Sequence, residues 1–167
     1  MLLHHELITA PGASPSKAVV FLHGILGSGA NLRSHAKKLV QARPHLLAVL
    51  MDLRAHGDSL GVEGPDTVER CAEDVAQTCR TLSLPVVGVV GHSFGGKVAL
   101  ALAKAHPELE DVMTLDSAPG PRADARGSET TAQVIAMLEG LRGPWATRDA
   151  FTRDVEAHGL SKGIAQW

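Results

Sequence analysis

Tyrosine is missing from this 167-residue chain, and aromatic residues make up only 3 % of it. A packed interior must therefore be filled by Leu, Val and Ala. An excess of one charge is missing too: 16 Lys and Arg stand against 18 Asp and Glu, a formal net charge of −2. That balance gives no electrostatic case for a nucleic-acid partner or an anionic membrane surface. No apolar run approaches the length of a membrane span. Cysteine is scarce, with only Cys71 and Cys79. Eight residues apart on one predicted helix, they are separated by roughly 12 Å along its axis, too far for a disulfide. They read as buried thiols of a reducing compartment. The opening MLLHHELITA lacks the basic start and long apolar centre of a signal peptide, and it is not an Arg/Ser-rich transit peptide. The expectation is a soluble intracellular protein, cytoplasmic by default, or organellar if a targeting segment has been lost.

The apolar residues that are present, 44 % of the chain, suffice for one domain core. Leu2 to Thr9 alternates weakly and reads as an edge strand. Its His4 and His5 point to opposite faces and cannot chelate together, so no metal site is expected. Lys17 to Leu22 (KAVVFL) is a buried strand. It runs into His23-Gly24-Ile25-Leu26-Gly27-Ser28-Gly29, a glycine-rich loop that can bring backbone N–H groups near a ligand. Asn31 is the expected cap of a helix with Leu32, Ala36, Leu39 and Val40 on one face, stopped by Pro44.

Leu46 to Met51 is the next buried strand. It delivers Asp52, Arg54 and His56 to its carboxyl end, where a supporting ion-pair and hydrogen-bond network is expected. Asp66, with Glu69 three residues on, is the expected cap of a helix burying Val68, Cys71, Ala72, Val75 and Leu82. Asp111 to Leu115 is a further strand, ending in Asp116. The alternation of strand and helix predicts a parallel α/β sheet with its sites on the carboxyl edge. From Ser117 the pattern changes. A polar linker over 118–127 leads to a helix over 128–141 with Val134, Ile135, Leu138 and Leu141 on one side. Thr147 caps a second helix to about His158, and a third starts at Ser161.

The most informative stretch is Val86 to Leu100, VVGVVGHSFGGKVAL. A β-branched run turns at once into a helical pattern through Gly91-His92-Ser93-Phe94-Gly95. Such a turn leaves no room for side chains beside the turning residue, so the glycines let the two backbones approach and Ser93 is exposed on a tight bend. The helix N-terminus adds backbone N–H groups and a positive dipole end at the same spot. This is a place to stabilise an oxyanion, with a second donor from the loop at 23–29. The same residues allow a competing reading: Gly91 to Lys97 is G-x-x-x-x-G-K, close to a phosphate-binding loop. Val98 stands where that loop needs a Mg²⁺-ligating hydroxyl, which argues against nucleotide binding.

With FLHGILGS at 21–28, MDLRAHGDS at 51–59, GHSFGGKVAL at 91–100 and LDSAPG at 115–120, the sequence resembles the α/β-hydrolase superfamily, in its small esterase/lipase-like carboxylesterase branch. The resemblance implies an α/β-hydrolase-type, mostly parallel sheet with flanking helices. It also implies a division into a core over 1–120 and the beginning of a helical cap over 121–167, lacking the final strands. It implies a serine hydrolase acting on small-molecule carboxylic esters or related acyl compounds, without a cofactor. Ser93 matches the nucleophile. The N–H of Phe94 and that of Ile25, or of Leu26, match the oxyanion donors. Asp116 matches the position some members use for the triad acid. His23, Gly24, Asp52, Arg54, His56 and His92 belong to the supporting loops, and His92 is not the base.

The triad histidine of the family lies in a loop after the last strand, and this sequence ends inside the cap. The expectations that follow are an enzyme of doubtful activity or a non-catalytic ligand-binding or regulatory paralogue. In either case the sheet would be less well covered, and more aggregation-prone, than that of a complete relative.

Overall fold

Five segments become strands: β1 (His5–Ile8), β2 (Lys17–Leu22), β3 (Leu46–Met51), β4 (Val86–His92) and β5 (Asp111–Leu115). The structure, a computed structural model, describes residues 1–61, 63–120 and 129–159. The chain divides into two units, Met1–Pro119 and Gly120–Trp167.

In the first unit the strands lie in the order β1-β3-β2-β4-β5. β1 runs antiparallel to β3, with His5 opposite Met51, and takes one edge. The other pairings are parallel, and β5 forms the opposite edge. The period of two sorts each central strand between two cores. Val20, Leu22, Val49 and Met51 pack on one face with Val75, Val98 and Leu102 of α2 (Val68–Cys79) and α3 (Phe94–Ala105). Val19, Phe21, Ala48 and Leu50 pack on the other with Ala36 and Val40 of α1 (Arg33–Ala42). Burial on both faces explains why β2 and β3 read as continuous apolar runs rather than alternating ones. β5 is different. Val112 and Met113 are 39 % and 56 % exposed, and among the described residues no strand pairs with its outer edge.

Two helix starts differ from expectation. Thr67, not Asp66, caps α2, its hydroxyl accepting from the Arg70 N–H at 3.2 Å. Asp66 instead stands 3.6 Å from Arg54. Asn31 lies inside a short 3-10 helix, Gly29–Leu32, and its side chain accepts from the Ser28 N–H at 2.6 Å. α1 starts only at Arg33. At α2 the neighbouring hydroxyl supplies the cap, whereas α1 follows Leu32 without a side-chain cap because the preceding 3-10 turn holds Asn31.

The second unit contains α4 (Glu129–Gly140) and α5 (Arg148–Ala157). Val134, Ile135, Leu138 and Leu141 are half-buried, on the side the spacing predicts. Thr147 caps α5 by accepting from the Ala150 N–H at 3.1 Å. Trp145 donates to Asp154 at 2.9 Å and meets Phe151 edge-on at 5.0 Å. Most of the expected linker and the helix from Ser161 lie outside the described residues. Among the described residues no helix is long and apolar enough to cross a membrane.

Candidate active site

The carboxyl ends of β2, β3, β4 and β5 share one edge of the sheet, because those strands are parallel. That edge collects the His23 loop, Asp52 to Ser59, Ser93 and Asp116. β4 ends at His92 and α3 begins at Phe94, so a single residue, Ser93, makes the whole turn. Its backbone sits at φ +50°, ψ −112°, a conformation that L-residues rarely hold. The Ser93 N–H donates to the Leu115 carbonyl at 2.9 Å, and the Ser93 carbonyl accepts from Gly96 at 3.0 Å. The glycines have a measurable reason. A Cβ at Gly91 would lie 2.2 Å from the Gly95 carbonyl oxygen, and one at Gly95 only 2.3 Å from that of Leu22. With one residue between strand and helix, no loop remains to wrap a phosphate. Lys97 donates its ammonium to the Ala118 carbonyl.

Phe94 opens α3, so its N–H has no acceptor within the helix. Ile25 and Leu26 form the centre of a turn closed by Gly27 N–H to Gly24 carbonyl at 3.1 Å. Both side chains are exposed, and Leu26 takes φ +63°. Gly24 is the point where this turn meets the elbow: a Cβ there would stand 3.0 Å from His92 Nδ1 and 3.4 Å from Ser93 Cβ. Asp116 follows β5 directly, exposed and at φ +47°.

His23 is fully buried and fully engaged. Its Nδ1 lies 2.6 Å from the Gly24 carbonyl, which can only accept, so Nδ1 carries the proton and donates. Its Nε2 accepts from the Leu53 N–H at 3.0 Å. A second proton would set N–H against N–H. Burial, chiefly, lowers its pKa below the usual histidine value. His23 is therefore a neutral clamp between the β2 and β3 loops, with no free ring nitrogen. His56 packs against it at 5.1 Å between ring centroids, its Nδ1 donating to the Arg54 carbonyl at 2.8 Å.

Asp52 holds the other side of the loop. It accepts from Gly29 N–H at 2.7 Å, from Asp58 N–H at 2.9 Å and from His4 Nδ1 at 3.1 Å. Burial pushes its pKa up, but those donors outweigh burial and hold it below the ordinary carboxylate value. Gly57 makes room, since a Cβ there would meet Asp52 Oδ2 at 2.2 Å. Arg54 turns away from the edge into the protein, where its Nε lies 3.0 Å from Asp74 Oδ2.

Asp74 is the residue that sequence reasoning passed over, although a signal existed. It sits at helical spacing between Cys71, Val75 and Thr78, on the face that α2 buries. A carboxylate at such a position requires a partner. Ser117 is a second omission: it faces Gly96, where a Cβ would come within 2.4 Å of its own Cβ.

A mostly parallel sheet carrying a one-residue strand–serine–helix turn on its carboxyl edge defines an α/β protein with a sharp strand-to-helix elbow. Residues 17–140 match the alpha/beta hydrolase fold family, and the chain belongs to it. It is 37 % identical over 137 residues to the mouse sn-1-specific diacylglycerol lipase ABHD11, a match covering 81 % of this chain and 42 % of that one. It is 33 % identical over 102 residues to ethanol acetyltransferase 1 of Wickerhamomyces ciferrii, covering 60 % of this chain and 25 % of the relative. Among solved structures, an esterase from a marine microorganism superposes with a TM-score of 0.81 at 26 % identity, over 99 % of this chain and 61 % of that protein. The chain thus spans less than half the length of these two curated relatives.

Proposed function

We propose that the chain carries the nucleophile half of a serine ester hydrolase. Ser93 Oγ attacks the acyl carbon of a small-molecule carboxylic ester. The carbonyl electrons move onto oxygen, which the N–H groups of Phe94 and of Ile25, or Leu26, receive at the helix N-terminus. Asp116 is the candidate acid that would orient an imidazole base, which takes the Ser93 hydroxyl proton and returns it to the alcohol oxygen as the ester C–O bond breaks. His23 is not that base, since both of its nitrogens are engaged.

The observation that carries the reading is the backbone of Ser93. A non-glycine residue held at φ +50° by hydrogen bonds on both sides is an arrangement that costs stability and positions one hydroxyl. The esterase and lipase names of the relatives agree with this chemistry.

The test is labelling of the purified chain with a fluorophosphonate probe, beside Ser93→Ala. Labelling that vanishes in the variant supports an activated serine. A folded chain that takes no label overturns the catalytic reading and leaves a non-catalytic ligand-binding protein.

A further inference from the structure

The net charge of −2 hides a segregation along the chain. Residues 7–51 hold five Lys and Arg and no Asp or Glu, so the rest carries 11 cations against 18 acids. The fold gathers three of the five on one surface of α1 and its end. Ala36 and Val40 face the core, which turns Lys37 and Lys38 outward together with Ser34 and Gln41. Arg43 follows at the helix end, about 9 Å further along the axis, a spacing comparable with the screening length of about 8 Å at physiological salt. The three charges therefore act together on anything placed against this face.

Among the described residues no acid neutralises it. α1 packs chiefly on β3, on the 3-10 turn and on β1, and the one acid of those elements, Glu6, is taken by Arg33. At the far end Glu110 is taken by Lys17 at 2.8 Å. Lys37, Lys38 and Arg43 make no ion pair or side-chain hydrogen bond among the described residues. Phe21, the only aromatic residue of 7–51, is buried, so the face offers nothing on which a nucleic-acid base stacks. Lysine is a compact, hydrated charge, which suits diffuse attraction to a charged plane better than bidentate reading of base edges.

We infer that the outward face of α1 docks on an anionic lipid bilayer, with Lys37, Lys38 and Arg43 against the phosphate and carboxylate groups of its headgroups. Each cation held near such a surface contributes about fivefold in affinity. The face lies beside the sheet rather than on its carboxyl edge, and its docking does not depend on the chemistry proposed for Ser93.

Co-sedimentation of the chain with phosphatidylcholine vesicles, with and without about one-third phosphatidylserine, tests this, the vesicle-free chain serving as blank. Binding to the anionic vesicles alone is expected, and its loss near 1 M salt, where the screening length falls to about 3 Å. Lys37→Gln combined with Lys38→Gln should weaken it about thirtyfold. Arg80→Gln combined with Lys104→Gln removes the same charge from α2 and α3, which pack on the other face of the sheet. That pair should change binding by less than about twofold, since a screened charge acts only locally. Ser93→Ala should bind as the parent chain does. No binding, equal binding to both vesicle types, equal loss in the two double variants, or tighter binding of a DNA duplex than of the anionic vesicles at the same salt would each overturn the inference. All four substituted cations are exposed, and an unchanged melting curve verifies that the variants are folded.

Discussion

Arg54 Nε lies 3.0 Å from Asp74 Oδ2, and both side chains are 1 % exposed. The pair joins the loop after β3 to the middle of α2, behind the serine edge. Asp74 also receives the Met1 ammonium at 2.9 Å. Removing Asp74 leaves the buried Arg54 guanidinium with only the exposed Asp66 carboxylate at 3.6 Å and two backbone carbonyls. Asp74→Ala should therefore cost about 3–5 kcal/mol in denaturant unfolding, whereas replacing both residues with apolar ones should recover most of that loss. If the double variant is as unstable as the single one, the pair is not the source of the effect.

The strain at Ser93 has a measurable consequence. Glycine tolerates φ +50° without a Cβ penalty, and alanine does not. Ser93→Gly should raise stability by about 1 kcal/mol over Ser93→Ala, while neither variant takes a serine-directed probe. Equal melting temperatures for the two would mean that the elbow is relaxed.

The glycines around the elbow should differ sharply in tolerance. Gly95→Ala forces a methyl against the backbone oxygens of Leu22 and His23, at 2.3 and 2.5 Å, and backbone cannot easily move. A loss of about 3 kcal/mol, the upper end of overpacking costs, is expected. Gly24→Ala meets only side-chain atoms, the nearest 3.0 Å away on His92. It should cost about 1 kcal/mol, read from the same unfolding curves.

Acid should destabilise the fold in two stages. His23 has a folded pKa below its unfolded value of 6.5, so below pH 6.5 the unfolded chain takes up a proton that the native state refuses. Stability is full above pH 6.5 and declines as pH falls toward the folded pKa. Asp52 adds a second loss. Its folded pKa lies below 3.8, so its contribution is present above that value and disappears as pH falls through the folded pKa. Melting temperatures of the chain and of His23→Asn between pH 8 and pH 5 check the first stage. The variant's curve should be flatter. Parallel curves would remove His23 as the cause.

These effects divide by how local their causes are. The elbow was legible at 86–100 because a strand, a turn and a helix follow each other within a few residues, and the glycines record the contact. The paired faces of β2 and β3 were legible because burial on both sides removes the alternation that one-sided strands show. The caps were misread by one or two positions: Asp66 and Thr67 are equivalent as local acceptors. Arg54, twelve residues upstream, stands close to Asp66 across the fold.

The chain order of residue types determined the class of fold, the one-residue turn at Ser93 and the loops that meet it, since each is a short-range consequence of side-chain volume and backbone freedom. Only the tertiary structure decided the strand order β1-β3-β2-β4-β5, the burial of Arg54 against Asp74 and the fixing of His23 by two backbone groups. Those depend on which distant segments come within about 3 Å of each other. A sequence pattern records that a polar group is buried, but its partner is chosen by the packing of the sheet and helices around it.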